Sequence, residues 1–160
     1  MYREIIILDS IGEYRNYFKD SYCTNGVTTH QGILVKFYED MFNHAFYERK
    51  NRKDRNKTEF SIKRSQRISW IKEVLQDPTI NIYQGWDSKR RCYDSKSKVS
   101  LVTSDGYVVV IRMIKKETAK FVTAYCIDEN NVQKKIESSP THYVYSATTV
   151  NKVIEEVTVD

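Results

Sequence analysis

Residues 99–127, VSLVTSDGYVVVIRMIKKETAKFVTAYCI, decide the fold class. Valine, isoleucine, tyrosine and phenylalanine recur there with a period of two, the spacing of side chains on one side of a β-strand. The part 107–114 is apolar on both faces apart from Arg112, as a central strand buried on both sides would be. Ser104-Asp105-Gly106 and Lys116-Glu117 bound it. Connections that short join antiparallel neighbours, because a parallel return needs a crossover of about a dozen residues. On the next run, 120–127, simple alternation puts Phe121, Thr123, Tyr125 and Ile127 on one face and Lys120, Val122, Ala124 and Cys126 on the other.

Upstream the period of two reaches back to Pro78 through runs at 80–83, 89–93 and 99–103, with Gln84-Gly85 and Asp94-Ser95 read as further turns. Before Pro78 the spacing becomes helical. Tyr38, Met41, Phe42, Ala45 and Phe46 form one apolar stripe with His44 at its edge. A second helix is predicted over 60–76, stopped by Asp77-Pro78. Its stripe, Phe60, Ile68, Ile71 and Leu75, leaves one vacancy, and Arg64 fills it. Residues 49–59 between the two helices contain no apolar side chain and read as a solvated helix end or loop. Runs at 5–8 and 33–38 read as strands, 12–22 as a short helix, and 131–137 as another before Pro140. The predicted class is α+β, with N-terminal helices packed on one face of a four- to five-stranded antiparallel sheet. The chain divides into an N-terminal extension packed on the domain (1–31), the main domain (32–140) and a C-terminal tail (141–160).

A length of 160 residues suits one domain with a single core. With 40% apolar and 29% charged residues the chain is neither collagen-like, nor mostly disordered, nor a disulfide scaffold. The apolar run at 5–8 is too short for a signal-peptide core or a membrane crossing, so a soluble, cytoplasmic protein is expected. Cys23, Cys92 and Cys126 are widely spaced and odd in number, and read as reduced thiols. His30, His44 and His142 stand alone, so neither a metal nor another cofactor is expected.

The net charge of +5 is unevenly placed. Residues 49–72 hold ten basic side chains against Asp54 and Glu59, and the rest of the chain is net acidic. Lys89, Arg90, Arg91, Lys96 and Lys98 form a second cluster beside Tyr93. Cations next to aromatic rings match a phosphodiester backbone with bases that stack. The candidate RNA contacts are Arg49, Lys50, Arg52, Lys53, Arg55, Lys63, Lys89, Arg90, Arg91 and Tyr93. The plainer alternative is a solvated charged face around a flexible loop. Arg64 is the sharper signal, because a guanidinium on an apolar stripe must find an acceptor or open into a cleft. A structural salt bridge or snorkelling would also satisfy it, and Arg67 stands one step to its side. His44 can exchange protons near neutral pH, and Thr123 and Tyr125 offer hydroxyls. If the helices cover the strand face that bears Thr123 and Tyr125, these groups would gather around a phosphate. Such a set suits RNA cleavage by the ribose 2'-OH, with a base, an acid and cations to hold developing charge.

The order of these parts is similar to a known family. A helix with His44 (FNHAFYE), a basic helix ending in proline (FSIKRSQRISWIKEVLQDP), an aromatic hairpin with Tyr93, the strand GYVVVIRMI and a strand ending Thr123-Ala124-Tyr125 resemble the barnase/EndoU/colicin/RelE-like ribonuclease superfamily, in its phage-type branch. The resemblance covers roughly 32–127, and Ser139-Pro140 is similar in placement. It implies two helices on a four-stranded antiparallel sheet with a metal-independent, toxin-like endoribonuclease site between them. Carried over by position, His44 would be the helix histidine, Arg64 or Arg67 the phosphate-holding cation, and Thr123 the strand hydroxyl with Tyr125 beside it. The basic insertion at 49–59 departs from the pattern and could serve as a substrate arm. The partners implied are RNA, with tRNA among the candidates, and a protein inhibitor or antitoxin, with no membrane. The alternatives are a non-catalytic RNA-binding or regulatory module on the same basic face, and an interaction domain such as a toxin's immunity partner. Inhibitors of basic nucleases are usually acidic, so the positive charge argues against the last.

Overall fold

The computed structural model describes residues 4–51, 53, 55–127, 131, 134 and 137–140. Ser10 starts the first helix, α1 (Ile11–Phe18), its side chain accepting the Glu13 N–H while the Glu13 carboxylate accepts the Asp9 N–H. A π-helical turn, Lys19–Cys23, follows. Gly26, at φ +66°, then turns the chain into β1 (Val27–Thr28); a Cβ there would sit 2.6 Å from the Val35 carbonyl oxygen. Next come β2 (Leu34–Lys36), α2 (Met41–Phe46), a hairpin of β3 (Tyr47–Arg49) and β4 (Lys57–Phe60), then α3 (Ile62–Gln66) and α4 (Trp70–Gln76). The last part is β5 (Asn81–Asp87), β6 (Cys92–Val102), β7 (Tyr107–Lys115) and β8 (Thr118–Cys126).

The α+β class holds, but the sheet differs from the expected one. It has six strands in the order β1-β2-β8-β7-β6-β5, and β2 lies parallel to β8, pairing Leu34 with Thr118 and Lys36 with Lys120. Reading turn by turn could only find the antiparallel meander β5 to β8. The path from β2 to β8, through three helices and three strands of that sheet, is the long crossover a parallel pair requires. Residues 5–8 are not a strand; the Ile6 N–H bonds the Gln66 carbonyl, and the Tyr14 hydroxyl accepts from the Leu8 N–H and donates to the Ile6 carbonyl. Gln84-Gly85 and Asp94-Ser95 are not turns but lie inside β5 and β6, where a bulge jumps the pairing from Gln84–Val99 to Gly85–Asp94. The base of the 49–59 segment is strand, with Glu48 opposite Glu59, and its described side chains are exposed.

The single helix expected over 60–76 is two. Ser61 caps α3 by accepting the Arg64 N–H, and at residues 67–70 the backbone bonds tighten to the third residue back, from Arg67 to Arg64 and from Trp70 to Arg67. Tyr22 enters the gap. Its buried hydroxyl donates to the Ile68 carbonyl and accepts from the Lys72 N–H, two groups that a continuous helix would have paired. Burial drives that hydroxyl's pKa far upward, so it stays a donor.

The main core lies between the helices and one side of the sheet. Phe18 is its hub, with the rings of Tyr22, Phe37, Phe42, Phe46 and Phe121 at 5.8–6.0 Å. Tyr14, Phe18, Tyr22 and Val27 from the first 31 residues are thus part of the same core as α2, α4 and the sheet. On β7, Tyr107, Val109 and Ile111 face this core, while Val108 and Val110 join Val102 in a second cluster across the sheet. β8 does not alternate simply. Val110 pairs with Thr123 but Ile111 with Phe121, so Val122 is extra and the strand changes side there. Phe121 goes into the main core, and Thr123 and Tyr125 share the opposite side with Val110 and Val108, a correction to the single face expected for all four odd positions. Residues 131, 134, 137 and 138 are helical, and the expected tail at 141–160 lies outside the described residues. Among the described residues no helix is long and apolar enough to cross a membrane.

Candidate nucleic-acid interface

Arg64 stands on the first turn of α3, where the Ser61 cap sets its direction. It is half-buried, as its place in an apolar stripe requires. Its Nη1 donates to the Ala45 carbonyl at 3.2 Å, and its guanidinium carbon lies 5.9 Å from the centre of the Tyr125 ring. The carbonyl is one of those that the C-terminal turn of α2 leaves unpaired, so the arginine closes the end of that helix. Tyr125 points to the side of the sheet away from the main core, so this contact runs round the margin of β8. That margin is available because β2 stops pairing with β8 at Lys120. No carboxylate pairs with Arg64 among the described residues, and its remaining donors keep their charge and direction.

His44 immediately precedes Ala45 and is exposed, on the face of α2 opposite the buried Phe42, Ala45 and Phe46. Three distant stretches of chain therefore meet at one place: the end of α2, the start of α3 and the end of β8. Arg67, one turn further, is turned elsewhere. Its Nη1 donates to the Lys63 carbonyl at 2.8 Å, and its guanidinium carbon lies 5.1 Å from the Trp70 ring centre. Trp70 in turn meets Tyr107 edge-on at 5.4 Å. With Asp105 and Cys126 these side chains line a cleft of about 400 Å³ at the ends of β7 and β8. Burial raises the Cys126 thiol pKa, against the opposing pull of Arg67, Lys63 and Arg64, and burial likewise raises the Tyr107 hydroxyl. Lys63, Arg64 and Arg67 thus form one positive rim along α3, although the two arginines touch different neighbours. Thr123 is not part of that rim: its Oγ1 is buried and has no hydrogen-bond partner among the described residues.

The other candidate contacts fall into two groups. Arg49, Lys50, Lys53 and Arg55 are exposed on the β3–β4 hairpin, and Arg52 lies outside the described residues. Lys63 is exposed on α3. Lys89, Arg90 and Arg91 connect β5 to β6, at the opposite end of the strands from Tyr125. Arg90 is held by Asp87 at 2.9 Å and Asp94 at 3.5 Å, and its hydrogen bond keeps the Asp87 carboxyl below its ordinary pKa. Tyr93 pairs edge-on with Trp86 at 5.2 Å. Trp86 escaped the sequence reading because Gln84-Gly85 looked like a turn; taken as strand, the same residues place Trp86 opposite Tyr93.

Among the described residues, no three His, Cys, Asp or Glu side chains gather as metal ligands would. Compared with known proteins, the chain matches no family model, no curated protein and no solved structure.

Proposed function

We propose that this chain is a metal-independent, toxin-like endoribonuclease of the barnase/EndoU/colicin/RelE-like kind, acting on RNA in the cytoplasm. The observation that carries the reading is the meeting of Arg64 with Tyr125 and with the turn of α2 that bears His44. An arginine satisfied by a neutral carbonyl and a ring, with no carboxylate among the described residues to neutralise it, is free to hold a phosphate. Lys63 and Arg67 extend the positive rim along which an RNA backbone would lie.

In this reaction the ribose 2'-oxygen forms a bond to the adjacent phosphorus as the bond to the 5'-oxygen breaks. One proton leaves the 2'-hydroxyl and one joins the departing 5'-oxygen; His44 carries one of these transfers and water the other. Arg64 holds the charge that builds on the phosphate, and Tyr125 flanks its guanidinium with its hydroxyl available to a phosphate oxygen, while Arg67, turned toward Trp70, faces a neighbouring phosphate of the strand rather than the reacting one. The products are a 2',3'-cyclic phosphate and a 5'-hydroxyl. No covalent enzyme intermediate is needed. A protein inhibitor would have to cover the α3 rim to protect the cell that makes such an enzyme.

The test is to incubate purified protein with total cellular RNA and map the ends of any fragments. Cleavage should persist in chelator and stop when the sugar at the cut position is 2'-deoxyribose. His44→Ala should slow single-turnover cleavage on the order of a hundredfold with the fold intact. The separate placement of Arg67 in its aromatic cleft favours a second reading, a module that binds RNA without cutting it. Salt-sensitive binding with no fragments would replace the first reading with the second.

A further inference from the structure

The β5–β6 hairpin carries an aromatic pair that the proposed reaction does not use. Trp86 is 47% exposed, unusual for so large an apolar side chain, and its ring meets Tyr93 edge-on at 5.2 Å. Around the pair the hairpin is built to be stiff. Asp87 accepts the Lys89 and Arg90 N–H groups and the Arg90 guanidinium, and Asp94 accepts from Ser97. Lys98 crosses over Gly85, where a Cβ would come within 2.4 Å of its stem, and its Nζ bonds the Trp86 carbonyl at 2.7 Å. Lys89 and Arg91 stand exposed at the tip with no ion-pair partner among the described residues. A rigid, exposed indole beside unpaired cations is the combination on which an unpaired base stacks while its phosphates are neutralised.

The sheet register places this platform relative to Arg64. Asn81 pairs with Val102, Val102 with Val108, and Val108 with Tyr125, so Asn81 lies level with the Arg64–Tyr125 contact. Trp86 is further along β5 and across to the sheet edge, roughly 20 Å from Tyr125 at ordinary strand spacings. That distance spans on the order of six nucleotides of stacked strand. We infer that Trp86, Tyr93, Lys89 and Arg91 form a second RNA contact, which grips an unpaired stretch of the substrate several nucleotides from the cut. This inference rests on the proposed function and adds a substrate class to it: RNA with a single-stranded segment long enough to reach both places. Arg90, tied to two carboxylates, is excluded from the contact and acts as the hairpin's brace.

The experiment compares Trp86→Ala, Trp86→Phe and the double variant Lys89→Glu/Arg91→Glu. Binding of a labelled, unstructured RNA of about a dozen nucleotides is read by anisotropy, and cleavage is read on that RNA and on a dinucleoside monophosphate. Trp86→Ala and the double variant should each weaken binding of the longer RNA about tenfold and raise its KM, with cleavage of the dinucleoside unchanged. Trp86→Phe, which keeps a ring, should bind nearly as well as the parent. Parental binding by both weakened variants would overturn the inference and leave the nuclease reading standing. So would equal losses on the two substrates, since a remote contact cannot affect the shorter one. A parent protein that neither binds nor cuts either RNA would overturn the nuclease reading and the inference together.

Discussion

The α3 rim and the β5–β6 hairpin carry nearly the same residues, Lys63, Arg64 and Arg67 in one and Lys89, Arg90 and Arg91 in the other. Their surroundings make them different tools. Arg64 is half-buried and satisfied by a neutral carbonyl and a tyrosine ring, so its full charge remains for a ligand. Arg90 is more exposed, yet two carboxylates take up its guanidinium. The acceptor that orders an arginine therefore matters more than exposure or local charge count: a carbonyl orients the group without cancelling it, and a carboxylate does both.

The strongest way to break this comparison is to remove the arginine held by the carbonyl. Arg64→Ala should lower cleavage on the order of a hundred- to a thousandfold, measured in single turnover, by removing a cation that faces the developing phosphate charge. Arg64→Lys should recover little, because an ammonium cannot hold the Ala45 carbonyl and a phosphate in the same fixed geometry. A loss of less than about threefold in Arg64→Ala would show that the guanidinium only closes the end of α2.

Thr123 sharpens the comparison from the other side. It lies two ladder positions from Tyr125 on the same side of β8, yet its buried hydroxyl has no partner among the described residues. A phosphate could not reach it without movement of the strand. Thr123→Val keeps the shape and removes the unpaired oxygen, so it should leave cleavage within about twofold and raise stability, by up to about 1 kcal/mol in denaturant unfolding. Cleavage that falls tenfold or more would place the hydroxyl on the substrate and require β8 to open during the reaction.

Much of this arrangement was legible from the chain. The Val-rich run at 107–114 announced a two-sided central strand, and β7 is buried on both faces over 107–111, but Ile114 beyond Arg112 is exposed. The vacancy at Arg64 was visible because an arginine interrupts an otherwise apolar spacing, and the structure supplies the acceptors that the spacing called for. What escaped the reading depends on distant partners. No local pattern reveals that β2 joins β8 in parallel, that the Tyr22 hydroxyl splits the second helix, or that Val122 is an extra residue that sends Phe121 and Thr123 to opposite sides. The convergence expected from simple alternation therefore survives for Arg64 and Tyr125 by a route the alternation did not foresee, round the margin of β8, and fails for Thr123.

The smallest expected effect separates a brace from a contact. Hydrogen bonding to Arg90 is the main cause that holds the Asp87 carboxyl below its ordinary pKa. A carboxyl depressed in the folded state stabilises above its unfolded pKa, and that contribution is lost only as pH falls through the lower folded value. Arg90→Ala should therefore raise the Asp87 titration midpoint toward the ordinary carboxylate range, followed by the carboxyl carbon's chemical shift, and the hairpin should loosen at a higher pH than in the parent. At neutral pH the stability change should be small, as for most exposed ion pairs. RNA affinity should fall by less than about threefold, because Arg90 makes no contact with the strand and its loss only lowers the local charge by one beside Asp87 and Asp94, in contrast to the about tenfold loss expected from Trp86→Ala. An affinity loss as large as that of Trp86→Ala would mean that Arg90 releases its carboxylates to bind phosphate, and the distinction between an arginine held by a carbonyl and one held by a carboxylate would then fail at the place where it is drawn most sharply.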